Sequence, residues 1–201
     1  MKSVIKMYEK YLTRKEKIII TAIEILDELG LQRLTTKEIA KRQGVTEPAI
    51  YRQFNNKQEI VSAIIDRFSV FDEMIRNTIV EQKMLMEQGI LYFIESYSDY
   101  YQNYPQITTV FFSFGFFHYE ENTNQKMIKI MQERRDFLES LIKKGIQEKN
   151  IKLDIEAQMF ADMLLGMMWS TLYVWKTTNE QTNFKETLMQ KITWLLARVI
   201  I

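Results

Sequence analysis

Apolar residues recur at intervals of three and four along most of the chain, the period of α-helices that turn one face to a core. The first such stripe, Ile19, Ile20, Ile23, Leu26 and Leu29, follows Thr13-Arg14-Lys15-Glu16. That tetrad is a capping box: the threonine hydroxyl caps a free N–H and the glutamate reaches back. Gly30 suits the end of this helix. A second box, Thr35-Thr36-Lys37-Glu38, opens a short helix carrying Ile39 and Ala40, which Gly44 interrupts. Thr46 suits the N-cap of a third short helix, and Pro48 falls in its first turn, where no intrahelical donor is lost. Asn56-Lys57-Gln58-Glu59 starts a linking helix with Ile60, Ile64 and Phe68 at helical spacing, expected to run to about Val80.

Beyond residue 80 the expected helices lengthen. One spans Met84 to about Asn103 and stops before Pro105, because the residue preceding a proline avoids the helical region. Pro105 to Tyr119 is dense in aromatic residues, among them Phe111, Phe112, Phe114, Phe116 and Phe117. Asn122 to about Lys149 follows, with Met127, Ile130, Met131, Phe137, Leu138, Leu141 and Ile142 inward. Asp154 to about Thr177 and Phe184 to Ile201 complete the series. No stretch alternates with period two long enough to demand a strand, and no internal repeat is visible. The expectation is an all-α chain of about nine helices, with a three-helix domain over 1–58 and a larger helical domain over 59–201.

Composition narrows the chemistry. Two prolines and six glycines in 201 residues agree with helix. The absence of cysteine excludes disulfides, thiolate metal sites and cysteine nucleophiles, and fits a reducing, cytoplasmic setting. A single histidine, His118, excludes a two-histidine metal site and leaves little for acid–base catalysis. No apolar run approaches the roughly 18–20 residues that span a bilayer, and the first residues lack the apolar stretch of a signal peptide. A soluble protein is expected, with no catalytic residues, metal, cofactor or membrane partner. The net charge of +1 is uneven: residues 1–68 hold 13 Lys and Arg against 9 Asp and Glu, and the remainder 14 against 17. A basic end on an acidic body suits contact with a polyanion at that end alone.

The most informative segment is Leu34 to Lys57. Two short helices meet there at a tight turn. Ala40 is small where they cross, Gly44 can take the positive φ of the turn, and Val45 and Ile50 pin the second helix on the first. This is the logic of a helix-turn-helix, whose second helix enters the major groove. An ordinary helical hairpin would satisfy the same spacing.

The segment resembles the DNA-binding domain of tetracycline-repressor-like (TetR-family) transcriptional regulators. The matching residues are Thr36, Ile39-Ala40, Gly44-Val45-Thr46, Ile50-Tyr51, Phe54 and Lys57, and the likeness covers roughly residues 13–60. Pro48 stands where glycine is frequent, and Gln53 where histidine or tyrosine often is; both lie on the reading helix and bear on operator sequence. The resemblance implies that Thr36, Tyr51 and Lys57 hold phosphates, contacts that set register. Thr46, Glu47, Pro48, Ala49 and Arg52 become candidates for base edges. Arg52 either pairs with a guanine or holds a phosphate; Glu47 either accepts from a cytosine amino group or stabilises the helix start. Lys2, Lys6 and Lys10 either reach along the DNA or form an extra packed turn.

The resemblance also implies that the larger domain forms a homodimer and binds a small effector. For dimerisation the candidates are Met159, Met163, Gly166 and Met167 on one helix and Leu188, Ile192, Leu195 and Val199 on the next, although such stripes also pack within one subunit. For the effector they are Tyr92, Phe93, Tyr97, Phe112, Phe116, Phe137, Met168, Trp169 and Tyr173, which would equally serve as plain core. Few charges interrupt them, so the expected ligand is a largely apolar or aromatic small molecule; His118 either hydrogen-bonds it or is a partly exposed helix-end residue. The implied function is a ligand-responsive repressor that binds double-stranded DNA at a palindromic operator. The alternative is an effector-independent architectural or division-associated DNA binder of the same fold.

Overall fold

The computed structural model describes residues 12–113, 115, 121–148, 151, 155–178 and 182–200. Helix α1, Arg14–Leu29, begins with the expected capping box: the Glu16 N–H donates to the Thr13 hydroxyl and the Thr13 N–H to the Glu16 carboxylate. Its buried face is Ile18, Ala22, Ile23, Ile25 and Leu26. Helix α2, Thr36–Gln43, is capped by the Thr35 side chain, which accepts from the Glu38 N–H at 3.1 Å. Helix α3, Glu47–Tyr51, is short and has Pro48 in its first turn. Helix α4, Lys57–Phe68, is capped by Asn56 and buries Ile60, Val61, Ile64, Ile65 and Phe68.

The linking helix does not run on to Val80. It stops at Phe68 and a separate helix α5, Asp72–Glu81, follows. At the break the Ser69 hydroxyl lies 3.4 Å from both the Ile65 and Asp66 carbonyls, so the side chain shares the last acceptors of α4 with the backbone. Helix α6, Met86–Asn103, ends ahead of Pro105 as expected, and Pro105–Thr108 forms a single 3-10 turn continued by a helical turn, Thr109–Phe112. Helices α7, Glu121–Gln147, α8, Ala157–Thr177, and α9, Phe184–Val199, complete the described chain.

The chain divides into two compact units, at places other than the single boundary expected at residue 58. One consists of the described residues up to Val70 together with Pro105–Met127; the other of Phe71–Tyr104 and the described residues from Ile128. In the first, α1 packs on α2 and α4, and the turns over 105–112 pack on α1 and α4, burying Ile107 and Val110. Lys126 reaches α4, where it pairs with Asp66 and donates to the Ser62 hydroxyl at 2.9 Å. These contacts explain why a segment distant in sequence joins the N-terminal helices.

In the second unit α9 packs against α6 and α8, and α5 against α6. Lys185 fixes the start of α9 on α6 through Glu95 at 2.8 Å and Asp99 at 2.9 Å. The core is apolar, with Phe93, Ile94, Phe160, Leu164, Met168, Leu172, Phe184, Leu188 and Ile192 among its fully or nearly fully buried residues. It also contains a buried ion pair, Arg134 with Asp72. Among the described residues no helix is long and apolar enough to cross a membrane.

Candidate nucleic-acid interface and effector region

The turn between α2 and α3 follows from Gly44. Its φ of 63° and ψ of 33° lie in the left-handed region, which glycine enters without steric cost. The Gly44 N–H donates to the Lys41 carbonyl and the Val45 N–H to the Ala40 carbonyl at 3.0 Å, closing the end of α2. The chain then turns into α3 through Thr46, whose extended backbone is that of an N-cap but whose hydroxyl makes no capping bond. Ala49 and Ile50 bury the inner side of α3, and Phe54 is buried just beyond it. Thr46, Pro48, Tyr51 and Arg52 are exposed, while Gln53 is half-buried. This short helix thus has an inner face that docks on its own domain and an outer face open to a partner.

Four expected contact residues also make contacts within the chain. Thr36, the first residue of α2, is buried, and its hydroxyl donates to the Glu47 carboxylate. The Tyr51 hydroxyl lies 3.4 Å from the same Thr36 oxygen. Glu47 therefore joins α3 to the start of α2, where a carboxylate also suits the positive end of the helix dipole. Lys57 is half-buried and donates to the Leu31 carbonyl at 3.3 Å, which fixes the start of α4 against the turn after α1. Sequence reasoning passed over Lys37 and Lys41, both exposed on α2. Their signal was positional: they fall on the polar side of a helix whose inner positions are Thr36, Ile39 and Ala40. Lys2, Lys6 and Lys10 lie outside the described residues.

The aromatic residues of the second unit come together only in part. Phe93 and Tyr97 stand edge to face at 4.8 Å, and Phe137 stacks on Phe93 at 6.1 Å. Trp169 lies 6.3 Å from Tyr101, a residue the effector reading omitted. Met168 is buried, Tyr92 is half-buried and Tyr173 is exposed on α8. Phe112 belongs to the first unit, where it stands edge to face with Phe111. Phe116 and His118 lie outside the described residues.

The cluster surrounds a cation. Arg134 Nε and Nη2 each donate to Asp72 at 2.8 Å, Nη1 donates to the Tyr101 hydroxyl at 3.1 Å, and the guanidinium sits 4.5 Å from the centre of the Tyr97 ring. Tyr97 in turn donates to Asp72 at 2.8 Å. Burial pushes the Tyr101 hydroxyl up to about 12 and raises Tyr97 further. Burial works against the charge of Arg134, yet the facing oxygens of Tyr101, Tyr97 and Asp72 hold its pKa above the ordinary value. Beside this network a cleft of about 320 Å³ opens between α7 and α8, lined by Met131, Arg134, Arg135, Asp162, Leu165 and Trp169 among others.

The dimerisation candidates separate by helix. On α8, Met159, Met163 and Gly166 are exposed and Met167 is half-buried, and Tyr173 and Val174 extend the same outward stripe. On α9, Leu188, Ile192 and Val199 are buried within the chain itself and Leu195 is half-buried, because this side of α9 packs on α6 and α8. The large apolar residue that α9 leaves outward is Trp194, with the Arg198 guanidinium 3.6 Å from its ring centre.

Residues 18–64 match the family model for bacterial regulatory proteins of the tetR family. Over 53 residues the chain is 40% identical to the class C tetracycline repressor protein of Escherichia coli; this match spans 26% of the chain and 24% of that relative's length. Two solved structures share the fold over almost the whole length. The ketosteroid transcriptional regulator KstR2 of Mycobacterium tuberculosis superposes with a TM-score of 0.81 at 14% identity, covering 94% of this chain and 96% of that one. The transcriptional regulator FadR of Bacillus subtilis, in complex with stearoyl-CoA, superposes with a TM-score of 0.73 at 20% identity, covering 89% and 97%. Helix-turn-helix geometry and family match agree on residues 18–64, which form a DNA-binding domain of the tetR-family type, and the chain as a whole shares the fold of the two solved regulators.

Proposed function

We propose that the protein is a cytoplasmic repressor that binds a palindromic operator as a homodimer and is released by a largely apolar small molecule. The observation that carries the reading is the two-faced α3, with Ala49 and Ile50 buried and Thr46, Pro48, Tyr51 and Arg52 exposed beside a glycine-closed turn. In this reading Thr46, Pro48, Arg52 and Gln53 face base edges, while Tyr51 and Lys57 hold phosphates; Ala49, expected to join them, is buried on the inner face of α3 instead. Thr36 and Glu47 act chiefly by setting the angle of α3. A palindrome requires two reading heads about one DNA turn apart, roughly 34–36 Å, which a two-fold dimer supplies. The outward stripe Met159, Met163, Gly166 and Tyr173, with Trp194 of α9, supports a subunit interface. The aromatic and methionine content around Phe93, Tyr97, Phe137 and Trp169, and the stearoyl-CoA bound by the FadR structure, support an effector that is mostly hydrocarbon. Such a ligand acts by favouring a population of lower DNA affinity.

The test is a DNA-binding titration on the intergenic region beside the gene, at two salt concentrations, with random DNA as competitor. Lys57→Ala should weaken binding on all sequences and lower the salt slope by roughly one ion. Arg52→Ala should relax preference at one base pair by roughly 1–3 kcal/mol. Equal losses on operator and random DNA for both variants would overturn the assigned roles. DNA affinity insensitive to every apolar compound screened would favour the effector-independent DNA binder instead.

A further inference from the structure

The cleft between α7 and α8 is lined by a guanidinium, that of Arg135, which the fold engages only weakly. Arg135 Nε is enclosed and has no hydrogen-bond partner, although buried N–H groups of folded proteins nearly always find one. Its Nη2 lies 3.4 Å from Asp136 Oδ1, a long contact with an exposed carboxylate. Arg135 shares the cleft with Arg134, whose charge Asp72 already balances, and with Met131, Leu165 and Trp169, which supply apolar wall. Asp162 of α8 faces the same space and is exposed. The cleft therefore offers an apolar surface, one guanidinium whose terminal nitrogen makes only a long contact, and one opposing negative charge.

We propose that this cleft binds an amphipathic carboxylate, with its hydrocarbon against Met131, Leu165 and Trp169 and its carboxylate on Arg135. The inference rests on the ligand-responsive reading above and gives the effector a chemical class. A carboxylate fits because its two oxygens match the planar fork of a guanidinium, and such charge-assisted pairs are the stronger hydrogen bonds. Asp162 opposes the carboxylate and so sets an upper limit on affinity. The cleft volume of about 320 Å³ lies at the small end of the range of small-molecule sites, which suits a medium-length chain better than a polycyclic body.

The experiment titrates decanoate, and separately its methyl ester, into the full chain while following tryptophan fluorescence, with Trp169→Phe identifying the signal from the cleft. Decanoate should bind more tightly than the ester. Arg135→Gln should weaken decanoate roughly tenfold or more and leave the ester unchanged. Asp162→Asn should tighten decanoate alone. Arg135→Lys, which keeps the charge without the fork, should fall between wild type and Arg135→Gln, and melting curves establish that each variant is folded. Equal binding of acid and ester, or decanoate binding that survives Arg135→Gln, overturns the inference. A DNA titration alongside separates the two readings. If a neutral compound releases DNA while decanoate does not bind, the carboxylate site fails and the ligand-responsive reading stands. If decanoate binds through Arg135 but no compound changes DNA affinity, the site stands and the ligand-responsive reading fails.

Discussion

Arg134 and Asp72 meet through two parallel hydrogen bonds, Nε to Oδ2 and Nη2 to Oδ1, each 2.8 Å, with both side chains almost wholly excluded from solvent. Excluding two charges from water is unfavourable unless geometry and further hydrogen bonds compensate. Tyr97 and Tyr101 supply those bonds. Removing one partner should therefore cost far more than removing both. Arg134→Met or Asp72→Leu alone is expected to destabilise by about 3–5 kcal/mol, and the double variant should recover much of that loss. Urea denaturation of the four proteins in the cycle measures it; additive losses would contradict the coupling.

Glu47 separates a structural role from base reading. Since its carboxylate accepts from the buried Thr36 hydroxyl, Glu47→Ala should lower stability by about 1–2 kcal/mol while leaving operator base preference unchanged. Thr36→Val should act on the same bond, so the two losses should not add. A changed base preference in Glu47→Ala, at wild-type stability, would restore the reading of Glu47 as a base contact.

Gly44 holds a left-handed conformation with open space around its missing Cβ, so an alanine there meets strain rather than a clash. Gly44→Ala is expected to cost about 1–2 kcal/mol and to weaken DNA binding by misdirecting α3. Gly145 is the opposite case: a Cβ at that helical site would stand 2.1 Å from Met86 Sδ and 3.0 Å from Met86 Cβ. Gly145→Ala should destabilise by about 1–3 kcal/mol through overpacking, without a direct effect on DNA contacts. Thermal melts together with DNA titrations distinguish the two mechanisms.

Acid should loosen the helix starts. The Glu16 carboxyl is held below its ordinary value of 4.5 by the Thr13 hydroxyl and then the Thr13 N–H, and Glu59 likewise by the Asn55 side chain and N–H. Each binds a proton less readily in the folded chain than in the unfolded one. The stability they contribute is thus complete above the unfolded value and is lost as pH falls through the lower folded value. Melting temperatures followed from roughly pH 6 to pH 3 should fall less steeply in Glu16→Gln and Glu59→Gln than in wild type. Parallel curves would exclude the caps as a source of acid sensitivity.

For the proposed dimer, Met163→Lys should raise the dissociation constant roughly a hundredfold or more by placing a charge in an apolar contact. Sedimentation equilibrium reads this directly. Leu188→Ala, at a side chain enclosed in its own subunit, should lower the melting temperature instead. Sedimentation of Met163→Lys indistinguishable from wild type would remove this face as the interface.

Local signals in the sequence translated well. The caps at Thr13, Thr35 and Asn56, the turn at Gly44 and the stop before Pro105 depend on neighbours within a few residues, and each stands where its chemistry placed it. The break between Phe68 and Asp72 was not legible, since no glycine or proline marks it. Asp72 reads locally as a polar first-turn residue; its burial depends on Arg134, far along the chain. Arg134 itself was within reach, as it falls on the inward stripe of α7, seven residues after Met127 and four before Leu138. A cation there demands a buried anion, but periodicity does not say which one. The stripe of α9 posed a related ambiguity: apolar spacing shows that Leu188 and Ile192 are covered without showing whether their own subunit or a partner covers them.

The division of labour within α3 bears on how such a protein changes over generations. Glu47, Ala49 and Ile50 are tied into the fold, whereas Thr46, Pro48 and Arg52 are exposed. Substitutions at the exposed positions leave the inner face and its Thr36 anchor in place. Where those positions read the operator, as proposed, a duplicated gene could drift towards a different stretch of chromosome through single, individually tolerable replacements, each altering the address while the reader stays folded.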